Sequence, residues 1–327
     1  MNAAPELGLS VVGLTKTYPK TFRRPAVEAV KGIDLEVRRG EVVGLLGPNG
    51  AGKTTAIKAV CGLLRPNAGR IFIGRHDLAK HPRRALASMA VVLEGDRNLR
   101  FRLNVKENIT FFTRLAGCDG GRVRRETPAA LERFGLAEKA KDQARNLSKG
   151  QKQKLSVCIA YLTKAALVLL DEPTLGLDVQ ASHELQAIIG EMAAEGRAVL
   201  LTTHEMAVAQ RVSDRIAIVN EGRLVTCQPT AELLELFRHR QYTIRIRTAD
   251  GARPEAAGAA ADGDFRLVGR EDGVATYELN TTDKDRLYEV MDLFRDDSCE
   301  VLEVARHQPD LEKVFLSIVG GQGGPPA

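Results

Sequence analysis

Nine residues, Gly47-Pro48-Asn49-Gly50-Ala51-Gly52-Lys53-Thr54-Thr55, constrain this chain more than any other stretch. They set a glycine, four free positions and then Gly-Lys-Thr, the spacing of a phosphate-binding loop. Glu41-Val42-Val43-Gly44-Leu45-Leu46 before it reads as a buried strand, and Ala56-Ile57-Lys58-Ala59-Val60 after it as a helix. That is the strand–loop–helix context the spacing requires. Glycines let the chain curl so that successive N–H groups point inward, and the helix N-terminus adds partial positive charge. Asn49 through Thr55 are thus the candidate phosphate contacts, with Lys53 reaching the outer phosphates and the Thr54 hydroxyl placed for Mg²⁺. The pattern predicts a nucleotide phosphate and leaves open which machine uses it.

With 327 residues there is room for one large or two ordinary domains. Forty-seven basic against 42 acidic side chains leave a net charge of +5 without a dense basic tract, weak grounds for a nucleic-acid partner. The absence of Trp and the few aromatics argue against a base-stacking surface. Apolar runs such as Ala165 to Leu170 fall far short of the ~20 residues of a membrane span, and the N-terminus lacks a signal-peptide layout. Cys61, Cys118, Cys158, Cys227 and Cys299 form no Cys-x-x-Cys pair, so neither zinc nor a disulfide framework is indicated and a reducing cytosol fits.

In chain order, strands are predicted at Leu9–Thr15, Gly32–Val37, Arg70–Gly74 and Met89–Leu93, with a short basic loop over Pro19–Pro25. Asn104-Val105-Lys106-Glu107 has capping-box spacing ahead of a helix carrying Ile109, Phe111, Phe112 and Leu115. Further helices are expected at Thr127–Phe134 and Lys152–Leu162, the latter opened by Leu147-Ser148-Lys149-Gly150-Gln151. Leu167–Leu170 is an apolar run ending in Asp171-Glu172-Pro173, which suits a strand buried on both faces of a parallel sheet. Asp178 follows as a helix cap, Ala198–Thr202 as another buried strand ending near His204, and Arg215–Val225 as a hairpin, closed by a helix from Thr230 to about Arg238. From Gln241 the composition changes. An alternating, edge-type strand at Tyr242–Arg247 is followed by a loose Gly251–Asp262 loop. Strands near Phe265–Leu267, Thr276–Leu279 and Glu300–Val304 and helices at Asp283–Phe294 and Leu311–Ile318 then suffice for a small α+β domain. The Gly320–Ala327 tail has a disordered composition.

A phosphate loop becomes an ATPase when an acid holds Mg²⁺ and another group orients water. Asp171 suits the ion, Glu172 the water and His204 the γ-phosphate, all at carboxyl ends of parallel strands, where ligands of such sheets bind. Together with Leu147–Gln151 these residues resemble the ATP-binding cassette (ABC) ATPases, the nucleotide-binding subunits of ABC transporters, over roughly residues 7 to 240. The resemblance implies an α/β fold. Its cassette has a parallel core sheet, an antiparallel β subdomain and a helical subdomain at about 97–162, all within residues 1–240. A small α+β accessory domain at 241–320 and the tail at 321–327 follow. It further implies that Tyr18 stacks on adenine, that Gly176-Leu177-Asp178 is the family's D-loop, and that His204 is its switch histidine. Ser148, Lys149, Gly150 and Gln151 form the signature, whose Ser and Gly bind the γ-phosphate held by a second subunit. A head-to-tail dimer with two buried ATP molecules follows from that arrangement.

Two residues depart from the family pattern. Glu94 stands where a Gln usually touches Mg²⁺ and water, and Lys149 replaces a signature glycine. Glu94-Gly95-Asp96-Arg97-Asn98-Leu99, Leu147-Ser148-Lys149-Gly150 and the Pro309–Leu316 ending resemble the ATPases paired with type 2 ABC exporters, the group of drug-resistance and antibiotic self-resistance exporters. In that branch the permease is a separate polypeptide, which places this chain peripherally at the cytoplasmic face of the membrane. The surface around Leu99, Phe101 and the Asn104–Leu115 helix is expected to receive the permease's cytoplasmic helix. A soluble ABC ATPase acting on nucleic acid or ribosomes, and a non-catalytic nucleotide switch, are the rival readings. No nucleic acid is expected, because the second cassette or long insertion typical of the former is missing. For residues 241–320, a dimer-stabilising module and a ligand sensor both remain open.

Overall fold

The computed structural model describes residues 6–19, 26–95, 98–236, 240–247, 264–271, 273–281, 283–296, 300–306 and 311–319. The Gly251–Asp262 loop, the Gly320–Ala327 tail and most of Pro19–Pro25 lie outside them. The chain separates into two units, Met1–Ala231 with Ser317–Ala327, and Glu232–Leu316.

The first unit is organised on a six-stranded sheet in the order β10-β9-β3-β8-β7-β6. These strands are β3 (Val42–Leu46), β6 (Met89–Val92), β7 (Leu167–Asp171), β8 (Ala198–Thr202), β9 (Arg215–Asn220) and β10 (Arg223–Pro229). All neighbours run parallel except the β9–β10 hairpin. β3 and β8 are buried at every position and β7 at its first four, as continuous apolar strands covered on both faces must be. The period-2 alternation splits each strand between two cores. Val168, Leu170, Val199 and Leu201 pack with the helical region, whereas Leu167, Leu169, Ala198 and Leu200 pack with the antiparallel layer and α1 (Lys53–Val60).

That antiparallel layer is a four-stranded sheet, β2-β1-β4-β5, of β1 (Leu7–Tyr18), β2 (Val27–Arg38), β4 (Ala68–Ile73) and β5 (His76–Asp77). β1 runs three residues beyond the predicted Thr15, because Lys16, Thr17 and Tyr18 continue the ladder onto Val30, Glu28 and Val27. α2 (Pro82–Ala87) follows, with proline in its first turn. The helical region comprises α3 (Val105–Leu115), α4 (Gly120–Arg133) and α5 (Lys149–Thr163). The Asn104 capping box is formed in both directions, Glu107 N–H to Asn104 and Asn104 N–H to Glu107, each at 2.8 Å. α4 starts seven residues before the expected Thr127. Asp119 caps it by accepting from Arg122 N at 2.8 Å. Val123, Thr127, Ala130 and Leu131 then form one buried stripe that carries the helix through Pro128. α6 (Val179–Ala194), α7 (Met206–Val212) and α8 (Thr230–Leu236) complete the helices of this part of the chain.

The second unit holds a four-stranded antiparallel sheet, β12-β13-β11-β14, of β11 (Arg240–Arg247), β12 (Phe265–Glu271), β13 (Val274–Thr281) and β14 (Glu300–Arg306). α9 (Lys284–Asp296) contributes Val290 and Phe294 to its core, and α10 (Leu311–Val319) ends the described chain. β11 is an inner strand, not the edge its alternation suggested. Ile244 and Ile246 enter the core, while Arg245 and Arg247 on the opposite face pair with Glu303 and Glu300 of β14. The arginines look like solvated edge residues in sequence because their partners lie more than fifty positions away.

Candidate functional site

The loop from Gly47 to Gly52 leaves β3 and enters α1, which begins at Lys53, three residues earlier than the sequence pattern indicated. Its tightness is specific to two glycines. A Cβ at Gly47 would stand 2.2 Å from the Val219 carbonyl oxygen, and one at Gly52, whose φ is +105°, 2.4 Å from that of Ala29. The β9–β10 turn braces the loop, since Gly222 N–H donates to Ala51 O at 2.9 Å and Lys31 N–H to Gly222 O at 2.7 Å. Lys53 Nζ donates to the Gly47 carbonyl, and to the Pro48 carbonyl at 3.1 Å. Burial lowers the Lys53 ammonium from its usual range, opposed by the Glu172 and Asp171 carboxylates. Asn49, Gly50 and Thr54 are exposed on the loop, whereas Ala51 is buried against its bracing.

Facing the loop are the carboxyl ends of β7 and β8. Thr202, the last residue of β8, donates its hydroxyl hydrogen to Asp171 Oδ1. Glu172 follows with φ +51°, a left-handed conformation unusual for a side chain of this size. Its amide donates to Thr202 O at 3.0 Å, and its side chain is 13% exposed. His204 Nδ1 lies 2.9 Å from Glu172 Oε2, without hydrogen-bond geometry, and that oxygen is buried with no donor. The His204 loop is tied to the Glu172 turn by Thr174 Oγ1 donating to Glu205 at 3.2 Å, and is braced internally by Glu205 N–H donating to Thr203 Oγ1 at 3.0 Å. Cys61, which caps α1, is buried and its thiol is pushed up to about 12, by burial first and then by Asp171.

Ser148 caps α5 by accepting from Gln151 N at 3.2 Å, and Gln151 Oε1 accepts from Ser148 N at 3.0 Å. The four signature positions therefore form a capped helix start, with Ser148 and Lys149 exposed. Gly150 packs on the next turn, where an added Cβ would stand 3.2 Å from Gly176 O and 3.1 Å from Leu177. The aliphatic part of Lys149 lies over Gly176, 3.0 Å from where a Cβ would be. Asp178 caps α6, accepting from Ala181 N at 2.8 Å. Exposed Glu94 shares a cleft with Lys149, Lys152, Gln153 and Glu172. Tyr18 ends β1 with an exposed ring and Lys16 Nζ 5.6 Å from its centroid.

Two residues of this region carry no motif signal, and a third, Asn98, is marked in sequence only within the Glu94–Leu99 stretch. Thr202 holds Asp171, Gln153 touches Glu172, and Asn98 closes the Leu93–Gly95 turn by donating to the Leu93 and Gly95 carbonyls. Threonine after an apolar strand and glutamine inside a helix are too ordinary to stand out in sequence. Leu99 is corrected: at 7% exposure it belongs to the helical core rather than to the surface.

A glycine cradle at the start of a helix, facing two consecutive acids at the carboxyl end of one buried parallel strand, defines a P-loop nucleotide hydrolase. A family model described as "ABC transporter" matches residues 30–175. The daunorubicin resistance ATP-binding protein DrrA3 of Streptomyces coeruleorubidus is 32% identical over 90% of this chain and 92% of its own length. The fluoroquinolones export ATP-binding protein of Mycobacterium tuberculosis is 33% identical over 88% and 94%. A solved ATP-binding subunit of an ABC transporter superposes with a TM-score of 0.64 at 32% identity, over 70% of this chain and 92% of that one. The chain belongs to the ABC transporter ATP-binding proteins, in the branch of the drug-resistance ATP-binding proteins. It is an ATP-binding, ATP-hydrolysing subunit of an ABC transporter.

Proposed function

We propose that this subunit hydrolyses ATP between two head-to-tail copies of itself and so drives a separately encoded export permease. The observation that carries the reading is the buried, donor-free Glu172 Oε2 beside His204, at the strand ends that face the glycine cradle. Backbone N–H groups of Asn49 to Thr54 hold the phosphates, with Lys53 leaving the Gly47 and Pro48 carbonyls to neutralise them and Thr55 completing the loop. Glu172 orients and deprotonates the attacking water, and His204 meets the γ-phosphate. Tyr18 stacks on the adenine.

Mg²⁺ fits the donor set. Asp171, Thr54 and Glu94 offer oxygens, and this ion needs one or two carboxylates once phosphate and water supply the rest. Bound there, the ion supplies positive charge against the phosphates. Thr202 fixes which Asp171 oxygen is free to serve it.

Ser148, Lys149, Gly150 and Gln151 present an exposed helix N-terminus, which favours an anion; the second copy's γ-phosphate is the anion in this reading. Asp178, at the D-loop turn beneath Gly150, abuts the same junction. The permease's cytoplasmic helix occupies a groove of about 580 Å³ lined by Leu86, Met89, Phe112, Leu115 and Ile159. Leu115 is 74% exposed there, and no described helix is long and apolar enough to cross a membrane. The chain then sits peripherally on the cytoplasmic face and needs no nucleic acid. Affinity capture from membranes of the native host, with wild type and Leu115→Asp, tests this. Recovery of a multi-span permease with wild type alone is expected. Recovery with ribosomes or nucleic acid instead would overturn it.

A further inference from the structure

Gln153 lies in the second turn of α5, on the helix that opens with Ser148, and its Nε2 donates to the main-chain carbonyl of Glu172 at 3.3 Å. That carbonyl also accepts Leu175 N–H at 3.2 Å, while the Glu172 amide is held by Thr202 O. A left-handed φ is unfavourable for a non-glycine residue and persists only where the surroundings over-determine it. Two of the three bonds that fix Glu172 come from the adjoining strand and from its own turn. The third comes from a separate element, and that element carries the signature.

We propose that Gln153 is a positioning residue, which couples the placement of α5, and with it Ser148 to Gly150, to the aim of the Glu172 carboxylate in the same chain. The helix transmits this as a rigid body, since Lys152 N–H already bonds Ser148 O at 3.0 Å. When a partner's nucleotide draws the helix start, Gln153 moves with it and turns the Glu172 peptide. The carboxylate is then aimed only when the composite site is complete. The inference rests on the reading of Glu172 as the group that handles water.

The test is steady-state ATP hydrolysis by the full chain carrying Gln153→Met or Gln153→Glu, with Glu172→Gln in parallel. Methionine keeps the volume and loses the donor; glutamate keeps the shape and sets an acceptor against the carbonyl. Because a misaimed group costs catalysis and not binding, kcat is expected to fall about ten-fold in Gln153→Met, and further in Gln153→Glu, with KM and melting temperature held. Unchanged kcat, or a kcat that falls only in step with melting temperature, would overturn the coupling while leaving an inactive Glu172→Gln intact. Normal turnover in Glu172→Gln would instead remove the reading beneath it, and the coupling with it.

Discussion

His204 Nδ1 and Glu172 Oε2 stand 2.9 Å apart, the histidine 63% exposed and the carboxylate nearly enclosed. The enclosed oxygen is buried without a hydrogen-bond partner among the described residues, and besides His204 the Lys53 ammonium acts on the same carboxylate. His204→Ala is expected to lower kcat by roughly 10²-fold, the scale of one positioned acid–base group, with ATP affinity changed far less. Parallel kcat and nucleotide-binding measurements check the split.

Thr202→Val removes the hydroxyl that holds Asp171 without altering side-chain shape. Outer partners of a metal ligand are worth 10–100-fold in affinity. The Mg²⁺ concentration for half-maximal hydrolysis is therefore expected to rise by about ten-fold or more, read by titrating Mg²⁺ at fixed ATP.

Gly52→Ala and Gly50→Ala separate strain from collision. Both positions have positive φ, but only Gly52 would drive a Cβ into a backbone carbonyl, 2.4 Å from Ala29 O, whereas Gly50 meets nothing within 4 Å. Without nucleotide, Gly50→Ala is expected to cost about 1 kcal/mol, the price of the left-handed backbone alone. Gly52→Ala should cost clearly more, as chemical denaturation will show.

In the second unit Arg286 grips Asp264 through Nε at 2.9 Å and Nη2 at 3.2 Å. The Arg286 hydrogen bond is the main cause that holds the Asp264 carboxyl below the usual carboxylate range. A depressed carboxylate contributes stability that is complete above its unfolded value, near 4, and is lost as pH falls through the lower folded value. Arg286→Ala is therefore expected to shift acid unfolding of this unit to higher pH. Tyrosine fluorescence reports it, as the chain has no Trp.

The phosphate loop, the buried strands β7 and β8 and the capped helices α3 and α5 were legible because each depends on neighbours in sequence: glycine spacing, apolar runs, side chains three residues apart. What depends on distant partners was not. Leu99 reads as a surface residue beside Glu94 until α3 and α5 close over it. β11 reads as an edge until Glu300 and Glu303 meet its arginines. Thr202, Gln153 and Asn98 gain their roles only from the strand ends and turns they touch across the fold. The left-handed backbone of Glu172 likewise has no sequence sign, since glutamate rarely adopts it.

The most direct test of the composite ATP site is the oligomeric state of purified Glu172→Gln with Mg²⁺ and ATP, measured by light scattering with bound nucleotide counted. The account predicts a stable dimer holding two unhydrolysed ATP molecules, dispersed by adding Ser148→Arg. A monomer at saturating ATP, or a variant that still turns ATP over at the wild-type rate, would contradict it.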